Sequence, residues 1–425
     1  MKVVLSSLWR SEDWWAVWLG LLVLGVFAGG VANWLPKVGT WVANPADSIK
    51  LVESPYLILL LLALMVLTSL PILAMKGNIR SYWAGVPVIL VLTTLAFIVA
   101  NQKAIKTNYG LEYPIWALAF GLVVSNLIGV PKWLKSAVKT ELFIKIGLVL
   151  LGAEIIFQTI MKAGVSGMSQ ALLVVVMVWY FCYFLAVKLG VDKSFAAILS
   201  SGVSICGVSA AIATGGAIKG DQKQVSYAIS LILLVAIPML ICEPIIARWL
   251  NLPSPVAGAW IGGTIDTTPA VVAAGALFSD TAMTYATIVK LSQNVLIGVV
   301  AFLLAIYWTM TVRKNDSEKA PSKLEIWYRF PKFILGFIFA SMIFSLVLTP
   351  WMGDKAIGSI TGLTSTIRNW FFAMAFVSIG LDTRFSELVK IGAGKPALVF
   401  LTAQIFNILL TFALAWVFFG NLLPW

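Results

Sequence analysis

Runs of about twenty mainly apolar residues follow one another along almost the whole chain, and a run of this length spans a bilayer as an α-helix. Hydrophobic residues make up 60% of the 425 residues and charged residues 11%, far outside the range of soluble proteins. The sequence therefore predicts an all-α polytopic membrane protein. The predicted spans are residues 14–33, 55–75, 83–101, 113–131, 141–161, 168–189, 224–248, 283–308, 332–350, 366–386 and 396–420.

The 30 Lys and Arg residues lie mostly in the short connections between these runs and give a net charge of +12. Basic residues that bind nucleic acid cluster on one surface, so this scatter predicts no nucleic-acid partner. Most of them fall on the side that holds the N-terminus, which predicts a cytoplasmic N-terminus in the cell membrane. Charge alone does not distinguish thirteen crossings from about eleven crossings plus two hairpins.

Residues 195–218 are too small and too polar for an ordinary lipid-facing helix. Irregular backbone survives at membrane depth only when it packs in protein or lines a wet cavity. The stretch therefore predicts a broken helix or a re-entrant hairpin that holds a small solute. A close helix–helix interface built from glycine and serine is the alternative. The candidate substrate-binding residues are Ser201, Gly202, Ser204, Cys206, Gly207 and Ser209.

A second stretch, residues 255–278, repeats this pattern sixty positions later, with Ile265 matching Ile205 and Gly275 matching Gly215. Internal repeats of this kind build many secondary transporters, with the solute site where the halves meet. We therefore expect two hairpins that enter from opposite sides of the membrane and meet at their tips. The candidate substrate-binding residues of the second tip are Thr264, Thr267 and Thr268.

A second, separate repeat has an offset of 228 residues and places Glu154 opposite Asp382, each followed by an aromatic residue, a lysine and a glycine. Both acids are candidates for ion coupling, although each also fits an interfacial position near a lysine. The repeats predict three segments: N-terminal membrane helices in residues 1–110, a first repeat in 111–250 and a second, inverted repeat in 251–425.

Lys290 lies inside a predicted span, with Gln293 and Asn294 on the same helical face. A buried ammonium beside two amides suits an anion, or replaces a bound sodium ion as a fixed charge. A salt bridge to Asp266, Glu154 or Asp382 is the structural alternative. Lys290, Gln293 and Asn294 are therefore candidate substrate-binding residues.

Asp266 lies among three threonines at the second predicted tip, a setting that suits coupling to Na⁺ or H⁺. An acid that only caps the start of a helix is the alternative. Pro269 follows closely and is tolerated at the first position of a new helix. Glu243, beside Pro244, is expected at the end of a span.

The chain has no histidine, and it contains no HExxH, paired DDxxD, clustered cysteine or Walker A pattern. We therefore expect neither an enzyme nor a metal site or cofactor beyond a coupling Na⁺ or H⁺. The expected partners are a small-molecule anion, membrane lipid and a second copy of the chain in a homo-oligomer. A membrane-embedded binding subunit without transport of its own is the hypothesis from a different class.

Three runs, SGVSICGVSAAIA, GTIDTTPAVVAAGALFSD and ATIVKLSQNVLIG, resemble the signature runs of the YeiH-like membrane proteins, a family described as sulfate exporters. The resemblance covers roughly residues 110–425. It implies a secondary transporter of a small anion, with a fold related to cation antiporters and bile acid symporters. Many members have His-Glu where Asp266-Thr267 stands and Arg where Gln293 stands, so a sulfonate or an organic acid is as well supported as sulfate. A cation/proton antiporter that uses Asp266 and Lys290 is the alternative.

Overall fold

The computed structural model describes residues 9, 11–50, 52–105, 112–311, 327, 330–384 and 394–420, which are helical apart from turns, loops and an isolated bridge between Trp41 and Gln102. The long helices are α1 (Glu12–Ala28), α2 (Ser54–Ala74), α3 (Ile79–Ala100), α4 (Tyr113–Val123), α5 (Thr140–Gly152), α6 (Phe157–Lys188), α7 (Lys193–Ser201), α8 (Gly207–Ala217), α9 (Gln222–Trp249), α10 (Ser254–Thr264), α11 (Thr268–Phe278), α12 (Asp280–Thr311), α13 (Phe333–Met342), α14 (Asp354–Asp382) and α15 (Lys395–Phe419). π-helical turns follow α4, α7 and α13, at Val124–Ile128, Gly202–Cys206 and Ile343–Leu348.

Eight helical segments in the described part of the chain are long and apolar enough to cross a membrane. This finding confirms the predicted class, a polytopic helical membrane protein. The predicted number of crossings stays a prediction, because length and composition alone define these eight segments. Several helices with charged ends, such as α14, lie outside the eight and still contain long apolar runs.

The predicted span 141–161 is wrong at its end, because α5 stops at Gly152 and α6 already begins at Phe157. Two serine side chains, from α13 and the π-helical turn that follows it, form hydrogen bonds with the backbone between α5 and α6. Ser341 Oγ donates to the carbonyl of Ile155 at 2.6 Å, and the N–H of Phe157 donates to Ser345 Oγ at 3.0 Å. Such long-range bonds stabilise a helix end that apolar composition does not mark.

The described residues pack as two compact units. Unit 1 comprises residues 1–158 and 332–385, and unit 2 comprises residues 159–331 and 386–425. This grouping follows packing, so the predicted division into residues 1–110, 111–250 and 251–425 by repeats stays a prediction.

One contact pattern occurs twice in unit 1. Ser341 Oγ donates to the carbonyl of Ile155 after α5, and Ser125 Oγ donates to the carbonyl of Thr383 after α14, both at 2.6 Å. Ile155 and Thr383 are 228 positions apart, which is the offset of the sequence repeat that relates Glu154 to Asp382. The repeated residues Phe385, Lys390 and Gly392 lie outside the described residues.

Helices α7 and α8 of unit 2 form a hairpin, hairpin A, and helices α10 and α11 form a second one, hairpin B. In hairpin A, the Cβ position of Gly220 lies 3.1 Å from Ser194 Oγ, so the two ends meet. In hairpin B, Ser254 Oγ and Ser279 Oγ are 3.1 Å apart. A straight helix would separate Ser254 from Ser279 by about 37 Å. One of the eight apolar segments, Lys193–Ala217, therefore reverses direction.

The open ends of the hairpins lie at opposite ends of unit 2. Helix α9 begins two residues after Gly220 and ends at Trp249, shortly before hairpin B. Its 28 residues span about 42 Å. The two tips, in contrast, are in contact, because a Cβ atom on Gly207 would lie 3.0 Å from the carbonyl oxygen of Asp266. The hairpins therefore approach each other from opposite directions.

The hairpin geometry predicts a specific cross-link. In a background without the three native cysteines, the pair Ser254→Cys and Ser279→Cys should form a disulfide on mild oxidation, because the two hydroxyl oxygens are 3.1 Å apart. Protection from a maleimide-polymer mobility shift reports the bond. The control pair Ser194→Cys and Ser254→Cys lies at opposite ends and should stay fully reactive. Cross-linking of the control pair alone would contradict the hairpins.

Candidate functional site

The contact between the two hairpin tips, here called the tip junction, is formed by Gly207 and Cys206 of hairpin A with Asp266 and Thr268 of hairpin B. Gly207 has φ 26° and ψ −107°, a conformation that favours glycine. A Cβ atom there would also lie 2.6 Å from Ile232 Cγ2. Cys206 Sγ lies 3.9 Å from Thr268 Oγ1. A glycine is therefore needed both for the turn and for the close approach of the tips.

Lys290 of α12 reaches this junction and is only 1% exposed. Its Nζ atom donates to the carbonyl of Ile205 at 2.8 Å and to Gln293 Oε1 at 2.9 Å. Ile205 belongs to the π-helical turn that ends the first half of hairpin A, where helical carbonyls carry negative partial charge. The ammonium therefore neutralises a helix C-terminus and keeps one of its three protons for another acceptor.

Amide side chains bind the other carbonyls at the ends of the entering helices. Gln293 Nε2 donates to the carbonyl of Gly263 at 3.1 Å, and Gln404 Nε2 donates to the carbonyl of Thr264 at 2.9 Å. Asn407 Nδ2 donates to the carbonyl of Val203 at 3.2 Å and, at 3.4 Å, to that of Thr264. Asn407 of α15 thus joins both hairpins.

Sequence reasoning missed Gln404 and Asn407. The signal that identifies them is a polar stripe, Gln404, Asn407 and Thr411, at three- and four-residue spacing along the otherwise apolar helix α15. All three side chains are buried, and Thr411 Oγ1 donates to Asn407 Oδ1 at 2.8 Å. The stripe therefore faces the hairpins inside unit 2.

Two carboxyl groups lie at the tip junction beside Lys290. Asp266 is 2% exposed, and its Oδ2 atom has no hydrogen-bond partner. Glu243 of α9 is 4% exposed and lies beside the hydroxyl of Thr264, which donates to the carbonyl of Trp260 and leaves both carboxylate oxygens without a well-formed hydrogen bond. Glu243 lies within electrostatic reach of Asp266 and Lys290. The expectation that Glu243 marks the end of a span is wrong, because α9 continues to Trp249.

Two of the three hydroxyls predicted on hairpin A, those of Ser201 and Ser204, are bound to protein atoms. Trp179 Nε1 donates to Ser201 Oγ at 3.0 Å, and Ser204 Oγ donates to the carbonyl of Ser200 at 2.6 Å. Gly202 packs against Ile232, with a Cβ position 2.9 Å from its Cδ1 atom. Their predicted contact with a solute stays a prediction.

The start of α8 differs from the rest of hairpin A in its accessibility. Ser209, in its first turn, is exposed. On hairpin B, Thr264 Oγ1 donates to the carbonyl of Trp260, and Asn294 Nδ2 donates to Thr268 Oγ1 at 3.0 Å. Thr267, directly before α11, is half-buried. Ser209 and Thr267 are therefore accessible hydroxyls close to the starts of α8 and α11.

Glu154 and Asp382 lie in unit 1, and so they are not among the residues that the tip junction brings together within unit 2. Glu154 forms an ion pair with Arg368 of α14, a residue that sequence reasoning missed. Asp382 ends α14 near Lys135 and Lys139. The predicted role of both acids in ion coupling stays a prediction.

Comparison with known proteins gives consistent results. The family described as conserved hypothetical protein 698 matches residues 84–400. A UPF0324 membrane protein of Rhodopirellula baltica is 40% identical over 92% of this chain and 73% of its own length. A UPF0324 membrane protein of Nitratidesulfovibrio vulgaris is 38% identical over 82% of this chain, and the match covers 62% of that relative. A UPF0324 membrane protein of Nitrosomonas europaea is 30% identical over 99% of this chain and 98% of its own length. No solved structure matches. These names state no substrate, so the resemblance to sulfate exporters stays a prediction.

Proposed function

The protein belongs to the UPF0324 membrane protein family, and we propose that it is a secondary active transporter that moves a small anion across the cell membrane. The anion is sulfate-like, a sulfonate or an organic acid. The observation that carries the proposal is the contact of two hairpin tips that approach from opposite ends of unit 2.

The dimensions of the hairpins support a site halfway through the bilayer. Helices α8, α10 and α11 have 11 residues each, which corresponds to about 16 Å. The hydrocarbon core of a bilayer is roughly 30 Å thick. With the open ends at the two surfaces, the tips meet near the midplane. Interrupted helices at this depth are typical of transporters, in which their ends bind the solute or ion.

Two features support an inverted repeat of about eleven crossings and two re-entrant hairpins. The hairpins match each other at an offset of sixty residues and point in opposite directions. In unit 1, the serine-to-carbonyl contacts after α5 and α14 match at an offset of 228. Matched halves of this kind allow one site to face each side of the membrane in turn. The distribution of Lys and Arg supports a cytoplasmic N-terminus.

The groups at the starts of α8 and α11 favour an anion. Both helices begin at the tip junction, and their first-turn N–H groups lack helical partners and carry positive partial charge. The ammonium of Lys290 adds a full positive charge behind them. Ser209 and Thr267 provide accessible hydroxyls close to these helix starts. Together these groups match an anion that accepts several hydrogen bonds.

Purified protein in liposomes tests the proposal. Labelled sulfate, a sulfonate or a small carboxylate should exchange against the same unlabelled anion, while empty liposomes show no exchange. Thr267→Val should raise the half-saturating concentration of the transported anion about fivefold, through loss of one hydrogen bond. The matched variant Thr402→Val, on α15, removes a hydroxyl that bonds within its own helix and should not change it.

Other outcomes separate the alternatives. Flux of a cation or proton alone would favour the antiporter that uses Asp266 and Lys290. Protein that is folded and moves no anion under any imposed gradient would favour a membrane-embedded binding subunit. Both results contradict the proposed anion transport.

A further inference from the structure

We propose that Glu243 and Asp266 together form a proton-binding site, and that occupation of this site by one proton couples anion transport to the proton gradient. This inference rests on the proposed anion transport and adds the coupling ion and the residue Glu243 to it.

The geometry begins with unpartnered oxygen atoms. Both carboxylate oxygens of Glu243 and Oδ2 of Asp266 are buried without a geometrically well-formed hydrogen bond, and the Thr264 hydroxyl beside Glu243 donates instead to the carbonyl of Trp260. The two side chains come from different elements, α9 and the turn between α10 and α11. They lie within electrostatic reach of each other and of Lys290. A buried carboxylate without a donor is unfavourable, and binding a proton relieves this by neutralising its charge.

Each neighbouring side-chain donor already bonds another acceptor, and Lys290 Nζ has one further proton. Lys290 Nζ bonds Ile205 and Gln293, and the amide nitrogens of Gln293, Gln404 and Asn407 bond backbone carbonyls of the hairpins. A proton taken from water supplies the missing donor, because a protonated carboxyl group gains one O–H. No bond other than this O–H forms, and no electron is transferred.

The charged groups around the site are few. Lys290 of α12 faces both acids, the thiol of Cys206 in hairpin A faces Lys290, and the thiol of Cys182 on α6 lies within electrostatic reach of Asp266. Gln293 and Asn294 on α12 and Gln404 and Asn407 on α15 are neutral amides. With both acids ionised, two negative charges face one ammonium, so the junction has a net negative charge. One bound proton makes it neutral.

The change in net charge on protonation couples proton binding to anion binding. A net negative charge beside the N-termini of α8 and α11 repels an anion, whereas a neutral junction leaves their positive partial charge to attract it. Anion binding and proton binding at Glu243 and Asp266 therefore strengthen each other, and this reciprocity follows from linkage. Anion affinity should rise as pH falls, by up to about tenfold per pH unit where one proton is taken up.

The choice of a proton over a metal ion follows from the residues present. The described residues contain no group of three or more His, Cys, Asp or Glu side chains arranged to hold a metal ion. The ammonium of Lys290 also repels a second cation. A proton needs only one carboxylate oxygen, and either acid provides it.

Glu243→Gln tests the site, because an amide resembles the protonated carboxyl group in shape and charge. The affinity for the labelled anion, measured on purified protein at several pH values, should become independent of pH in this variant. Exchange of anion against anion should persist, while accumulation driven by an imposed proton gradient should be lost. Asp280→Asn, an exposed acid at the start of α12, is the matched control and should keep the wild-type pH dependence.

A direct measurement on the unmodified protein keeps the test independent of folding of the variant. An inward anion gradient should alkalinise the outside of liposomes that contain wild-type protein, as reported by a pH-sensitive dye. Anion flux without proton movement, or Na⁺-dependent affinity at constant pH, would refute the proton site and leave the transporter intact. Absence of any anion flux would instead refute the proposed function. Glu243→Gln that keeps the wild-type pH slope would also refute the proton site.

Discussion

Replacement of Lys290 by methionine is expected to abolish transport and to destabilise the protein by about 1–3 kcal/mol, the cost of leaving a buried acceptor without its donor. Methionine keeps much of the side-chain volume but removes the ammonium. The carbonyl of Ile205 then loses its donor, and the carboxyl groups of Asp266 and Glu243 lose a nearby positive side chain. Thermal unfolding and anion exchange in liposomes measure both effects.

The control for this variant is Lys162→Met, an exposed lysine on α6, which should leave stability and exchange unchanged. The double variant Lys290→Met with Asp266→Asn removes one negative charge together with the positive one. It should recover part of the lost stability without recovering transport. Equal destabilisation by the single and the double variant would contradict charge balance at the tip junction.

Replacement of Gly380 by alanine is expected to destabilise unit 1 by about 1–3 kcal/mol or more, as for other overpacked interiors. The added Cβ atom would lie 2.5 Å from the carbonyl oxygen of Leu118, 2.6 Å from the nitrogen of Leu122 and 2.7 Å from Cα of Gly121. These are all backbone atoms of α4, so no side chain can move aside. The helices α4 and α14 must separate.

Gly362→Ala on the same helix is the matched control, because no atom lies within 4 Å of its Cβ position. Alanine has the higher helix propensity, by about 1 kcal/mol, so this variant should be neutral or slightly stabilising. The two substitutions therefore differ in the sign of their effect on the unfolding midpoint, measured in one detergent. A loss of stability of similar size in both would show that close packing at Gly380 is not the cause.

Several elements were predictable because their signals are local. Apolar runs marked helices such as Ser54–Ala74 and Lys395–Phe419 almost to the residue. Glycine and hydroxyl content marked the two interrupted stretches, and Pro269 marked the start of a new helix close to its observed beginning at Thr268. The hydrocarbon core penalises each exposed polar backbone group, so composition within one span already limits what that span can form.

The partners at the tip junction were not predictable in this way. Gln404 and Asn407 belong to a polar stripe on an apolar helix, but the stripe does not identify their partners, and Glu243 looks like a helix end. Their roles depend on hydrogen bonds or charges contributed by other helices. The bond between Asn407 and Val203, for example, joins residues 204 positions apart.

The membrane class and the positions of hairpins A and B follow from amino-acid content, because the transfer free energy of a segment depends mainly on its own residues. The repeats also predicted that the two hairpins enter from opposite sides. The carbonyl that Lys290 bonds and the proximity of Glu243 to Asp266 required the folded chain. Those features arise from the packing of α9, α12 and α15 around the hairpins, and packing couples residues that no local pattern relates.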